Sequence, residues 1–273
     1  LPSTGVETAG AGRGQDRDAH GRGRRCDRHA GGDGAAGRAR PARAAAPLPG
    51  WLSGLRPRLR DLRLAYAPEL GGIAPDAEVR RVVDGAVAAL STHGARIVEL
   101  GAVIDPLQGA FEPYWLAGFA QRLRAIPHER RDEMDPQLRR LAEQGLEIGI
   151  EQLLAGEAAR AALGRTFAAL HRDHDLLLTP SMPRAAPLVE TIYHTPEYDR
   201  WRDGVPYSLP FNLTGQPAAT IPCGATGAGL PVGLQVVGPR FAERMILEAC
   251  LAIEQVLGLV PPQARLRGLA PHC

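Results

Sequence analysis

Residues 207–243 read YSLPFNLTGQPAATIPCGATGAGLPVGLQVVGPRFAE, and the rest of the chain is arranged around them. Pro217 opens a short apolar run over 218–221, which Pro222 and Gly224 close. A glycine-rich turn over 224–229 leads into a second run, 232–237, stopped by Gly238 and Pro239. Runs of this length and β-prone composition predict two strands of a sheet covered on both faces. Residues 241–257 then carry Ile246, Leu247, Cys250, Leu251 and Ile253 at helical spacing, which predicts a helix lying on that sheet.

The stretch resembles the C-terminal core of the amidase signature family. FNLTGQPA (211–218), IPCG (221–224) and GLPVGLQVVGPRFAE (229–243) carry the resemblance, and DLLLTPSMP (175–183) fits the same family some thirty residues earlier. The resemblance implies an α/β fold: a mixed β-sheet core with helices on both faces, here a partial amidase-signature fold truncated at its N-terminus.

Outward from this stretch the composition sets bounds. Hydrophobic residues make up 44% of the 273, enough for a packed core, and aromatics only 5%. A net charge of +2 points to neither nucleic acid nor membrane as partner, and no apolar run approaches the ~18 residues of a membrane span. Cys26, Cys223, Cys250 and Cys273 form no CxxC pair, so neither a disulfide framework nor a structural zinc site is expected, and a cytoplasmic location is the default. No cofactor motif is present. The 32 basic residues are all arginine; the chain contains no lysine.

Residues 1–46 differ from all that follows. They are rich in Gly, Ala and Arg, contain no aromatic residue and show neither a strand nor a helix period. Such a segment buries too little apolar surface to offset an ordering entropy of ~1–2 kcal/mol per residue, so disorder is expected. GRGRR (21–25) suggests a nucleic-acid arm, but four aspartates interleave with the basic residues and nothing is present to stack on bases. LPSTG (1–5) resembles the family's KPSTG/KPTYG element, which follows the nucleophile by some twenty residues. By that resemblance the chain, which does not begin with Met, holds the back half of a longer protein. Residues 6–40 stand where the family has its GPMARTVADAALMLDVMAG helix. Read one nucleotide along, codons permitted by residues 18–35 allow Met, Arg and Thr, then Val or Ala twice, then Ala-Asp-Ala-Ala. The segment therefore reads as that helix translated out of frame, with 47–273 the in-frame amidase portion.

From residue 47 onward the pattern is ordered. Residues 62–66 predict a strand. Pro75 and Asp76 start a helix with Val79, Val82, Val83, Ala86, Val87 and Leu90 on one face, ended by Gly94, and 97–100 predict a second strand. The GG at Gly71 and Gly72 lacks the spacing of a dinucleotide-binding turn. Residues 106–171 are largely helical in pattern, clearest over 136–170, with breaks expected at Gly145, Gly149, Gly156 and Gly164. The pair His171 and His174 before Asp175 reads as a helix end rather than a metal site. Residues 176–179 predict a buried strand, followed by a long loop over 180–210.

The resemblance also implies chemistry. The family cleaves linear amides with a serine nucleophile, a second serine in a cis peptide and a lysine base. A neutral hydroxyl attacks poorly until a base takes its proton. Here no Gly/Ser-rich catalytic segment occurs and no lysine exists; arginine, protonated above pH ~12, cannot replace it. No catalytic residue is therefore assigned. What the resemblance leaves is a substrate-pocket wall, bordered by the loop after DLLLTP and the FNLTGQPA turn, with Ser181, Tyr207, Asn212 and Thr214 as candidates. Asn212 could equally cap a turn, Thr214 satisfy buried backbone and Tyr207 serve the core. Tyr114 and Trp115, on an expected helix, could line the acyl pocket but are read as core packing, and Cys223 as an inert small hydrophobe. The partner implied is a small amide substrate, and a homodimer is left open. Three functions stand side by side: an amidase whose catalytic half lies outside this chain, a binding or structural module without catalysis, and a nonfunctional translated remnant. Within the family an amidotransferase A-subunit-like protein is the alternative, and FNLTGQPA looks more like a general amidase.

Overall fold

The computed structural model describes residues 53–106, 111–188 and 206–258. All of them belong to one unit, Gly50–Cys273. The expectations for residues 1–46 lie outside the described residues.

A five-stranded mixed sheet forms the centre, in the order β2-β1-β3-β5-β4. β1 (Arg63–Tyr66) and β2 (Arg96–Glu99) pair in parallel on either side of α1 (Ala77–Thr92), so the strand–helix–strand reading of residues 62–100 holds. β3 (Leu176–Pro180) lies parallel to β1 and antiparallel to β5 (Pro231–Val237), and β4 (Ala218–Ala225) closes the far edge against β5. β3 is central and every one of its residues is buried, which is why DLLLTP reads as a continuous apolar run rather than an alternating one.

Alternate residues feed two cores. Leu64, Tyr66, Leu176, Leu178, Leu234 and Val236 face α1 and α6 (Glu243–Leu257). In α1 the buried stripe is Val79, Val83, Ala86 and Leu90; in α6, Ile246, Ala249, Cys250 and Ile253 are buried. Burying each larger aliphatic of these stripes contributes about 1.5–3 kcal/mol. On the opposite face Ala65, Ala67, Leu177 and Val237 meet α4 (Ile150–Asp173) and the short α5 (Leu209–Thr214) through Leu163, Phe167, Phe211 and Leu213. The Phe167 and Phe211 rings lie 5.2 Å apart at a tilt of 46°. Helices on both faces of a mixed sheet are the α/β architecture implied by the resemblance.

Four local expectations change. The strand expected over 218–221 continues through Pro222 and Gly224 to Ala225. Its register shifts between Pro222 and Gly224, and β4 is an edge strand, where a residue without an N–H breaks no ladder. β4 is also mostly exposed rather than covered on both faces. The helical stretch from 136 does break, between α3 (Pro136–Leu146) and α4, but Gly156 and Gly164 sit inside an unbroken α4. FNLTGQPA, expected as a turn, holds α5, which ends where Gly215 takes the left-handed conformation at φ 66°. Before these, α2 (Glu112–Arg124) packs on α3 so closely that a methyl group on Gly145 would lie 2.0 Å from the Leu116 carbonyl oxygen.

Candidate functional site

The end of β3 carries the first of the candidate residues. Leu177, Thr179 and Ser181 point to the same face of the sheet, and register sets Thr179 against Gln235 and Gln235 against Thr220. Gln235 is buried; its Nε2 donates to Thr179 Oγ1 at 3.0 Å and to the Tyr207 carbonyl at 3.2 Å. The Thr179 hydroxyl donates onward to Pro180 O at 2.9 Å. Ser181 follows: its N–H donates to Gly233 O at 2.9 Å and its half-exposed hydroxyl to Thr220 Oγ1 at 3.2 Å. A polar row of hydroxyls and one carboxamide thus edges an otherwise apolar sheet. Gln235 was not singled out from the sequence, although a lone glutamine inside the apolar run VGLQVV was the available signal.

Tyr207 is fully buried, its carbonyl held by Gln235 on β5 and its hydroxyl close to the segment that follows β1. Its hydroxyl donates to Ile73 O at 2.6 Å, and burial pushes its pKa up to about 12. It is a neutral, buried pin between the segment after β1 and Gln235. Asn212 is exposed on α5, and no hydrogen bond of its side chain is present among the described residues. Thr214 is buried at the other end of α5; its hydroxyl donates to Pro210 O at 2.9 Å and its carbonyl accepts from Arg240 Nε at 2.9 Å.

The four candidates therefore do not converge. Gln235 links Tyr207 to the β3 end and so to Ser181, whereas Thr214 borders a separate cavity of about 480 Å³ between α4, α5 and Arg240. Tyr114 donates to Glu157 at 2.5 Å, tying α2 to α4, and Trp115 stacks between Phe111 and Phe119 with centroids 5.8 and 4.7 Å away. The half-buried Cys223 thiol has its pKa raised to about 11 by burial, which leaves it protonated and unreactive at neutral pH. Among the described residues no cluster of His, Cys, Asp or Glu could hold a metal, and no helix is long and apolar enough to cross a membrane.

The fold, the motif stretch and the polar row place the molecule in a known class. The family model described as Amidase matches residues 35–247, and the chain belongs to the amidase signature family. An acylamidase of Rhodococcus erythropolis is 27% identical over 210 residues, covering 72% of this chain and 43% of its own length. The A subunit of a glutamyl-tRNA(Gln) amidotransferase from Novosphingobium aromaticivorans is 28% identical over 241 residues, covering 77% and 47% respectively. Among solved structures, 6-aminohexanoate cyclic dimer hydrolase superposes with a TM-score of 0.68 at 18% identity, covering 79% of this chain and 49% of that one. A bacterial aryl acylamidase of the amidase signature family gives 0.60 at 19%, covering 75% and 44%. The chain spans less than half the length of each of these relatives.

Proposed function

We propose that this chain builds a wall of the substrate pocket of an amide-cleaving enzyme and that these residues alone hydrolyse no amide. One observation carries the reading: Ser181, the half-exposed candidate serine at the end of β3, donates its hydroxyl to another neutral hydroxyl, Thr220 Oγ1, at 3.2 Å. Thr220 cannot accept that proton and hold it, and the sequence contains no lysine to do so. Without a base, serine remains a weak nucleophile. The polar row can still orient a small amide, since hydroxyls both donate and accept. Within the wall, Ser181 meets the substrate and Tyr207 supports the wall through Gln235, whereas Thr214 lies on the separate cavity at the other end of the sheet.

The test is direct. The purified chain is incubated with hexanamide, benzamide and acetanilide, and ammonia or aniline release is followed over time. No release above buffer is expected. Time-dependent release that a point substitution within the chain abolishes would overturn the reading.

A further inference from the structure

The cavity between α4 and α5 lies at the opposite end of the sheet from Ser181. Leu177 pairs with Val237, so the segment through Pro239 and Arg240 leaves the sheet where β3 begins, while Ser181 follows its end. Five residues of strand separate the two ends, about 16 Å at the usual rise per residue. At about 480 Å³ the cavity falls in the size range of small-molecule sites.

Its interior is apolar or already satisfied. Phe167, Leu213, Ala161 and Ala168 supply apolar wall. His171 accepts from Gln216 Nε2 at 3.0 Å and donates through Nδ1 to His174 O at 3.2 Å, so it is a neutral imidazole; burial also holds its pKa down. Gln216 Nε2 reaches Gly238 O as well, at 3.3 Å, and its carbonyl lies 2.9 Å from the Thr214 hydroxyl.

The charges are unbalanced. Arg160 is spent on Glu157, with contacts of 2.7 and 3.0 Å. Among the described residues Arg240 gives only its Nε to a protein acceptor, the Thr214 carbonyl, and Arg165 meets no carboxylate. Both line the cavity, so its uncommitted hydrogen-bonding capacity is almost wholly that of two guanidinium groups. A guanidinium fork matches a carboxylate in two-point geometry, and the apolar wall demands a hydrophobic body behind it.

From this arrangement we infer that the cavity binds a small carboxylic acid, its carboxylate held by Arg165 and Arg240 and its aromatic or aliphatic body lying against Phe167 and Leu213. The inference is independent of the proposed hydrolytic role, because none of these residues belongs to the polar row at the end of β3.

Gly164 makes the test clean. It lines the cavity from within α4, and a Cβ there meets no atom within 4 Å, so a side chain at this position leaves the backbone without a clash. Calorimetric titration of the full chain with phenylacetate and hexanoate is expected to give saturable binding, with phenylacetamide and inorganic phosphate each at least tenfold weaker. Gly164→Leu is expected to abolish carboxylate binding while the melting temperature stays the same or rises. Arg240→Gln and Arg165→Gln are each expected to weaken binding about tenfold. The inference fails if phenylacetamide or phosphate binds as tightly as phenylacetate, if Gly164→Leu binds undiminished, or if neither carboxylate saturates the wild-type chain in the millimolar range.

Discussion

Gly233 and Ser181 are in such close contact that a methyl group on the Gly233 α-carbon would sit 2.7 Å from the Ser181 hydroxyl oxygen and 2.9 Å from the Thr220 methyl. The glycine in GLPVGLQVV thus holds open the place where Ser181 and Thr220 meet across the sheet. Gly233→Ala is expected to displace Ser181 and lower stability by ~1–3 kcal/mol, the usual cost of overpacking. Placed on Ser181→Ala, which removes the nearer obstacle, the same change is expected to cost measurably less. Urea denaturation of the four proteins of this double-mutant cycle measures the coupling. Additive effects would show that the two positions do not press on each other.

Two helical glycines are expected to respond to alanine in opposite directions. Gly85 is exposed in the middle of α1 and its added Cβ would meet no atom within 4 Å, so Gly85→Ala is expected to stabilise by ~0.5–1 kcal/mol through helix propensity alone. Gly145→Ala drives a methyl group onto the Leu116 carbonyl and must push α3 away from α2. A loss of ~1–3 kcal/mol is expected. Chemical denaturation decides both; a stabilised Gly145→Ala protein would mean that the two helices do not cross this closely.

The two phenylalanines of the motif stretch separate burial from exposure. Phe211 is buried against Phe167, and Phe211→Ala is expected to cost ~3–5 kcal/mol. Phe241 is 91% exposed and holds φ at +68°, a conformation that asparagine tolerates better than phenylalanine. Phe241→Asn is therefore expected to leave stability unchanged or raise it by up to ~1 kcal/mol, and to reduce binding of a hydrophobic dye. Thermal melts and dye fluorescence check both halves. A strongly destabilised Phe241→Asn protein would show that the ring packs against part of the chain.

The physical reasons for these responses explain what the sequence did and did not disclose. The α1 stripe from Val79 to Leu90 and the fully buried run at β3 are local patterns with one structural solution each, and both were legible. The continuation of β4 past Pro222 was not, because whether proline is tolerated depends on the strand being at an edge, which is a property of the sheet. Gly156 and Gly164 weaken a helix by propensity, yet α4 stays whole because Gly156, Leu163 and Phe167 are buried in the fold. The site followed the same division. Motif spacing marked Ser181 and Thr214 alike, but only the β3–β5 register reveals that they face opposite ends of the sheet. Gln235 escaped notice because its importance lies in bridging Thr179 and Tyr207, which are 28 residues apart in the chain.

The final prediction concerns His171, whose folded pKa burial holds below the ordinary value of 6.5. Its Nε2 accepts from Gln216 and its Nδ1 donates to His174 O, so protonation would place a second donor against the Gln216 amide. In the unfolded chain the imidazole takes a proton near its ordinary pKa, while in the folded chain it resists. Below that value the unfolded state binds more protons, so stability falls as the solution is acidified. The contribution is fully present at neutral pH and is lost as pH drops from about 6.5 toward the lower folded pKa. His171→Gln removes the titrating group, and its melting temperature is expected to fall less than that of the wild type between pH ~7.5 and ~5.5. Asp175, whose pKa is lowered chiefly by the Arg63 side-chain hydrogen bond, loses its contribution only below its ordinary carboxylate range, so the two effects occupy different windows. Parallel wild-type and variant slopes across that interval would show that His171 carries no such proton linkage.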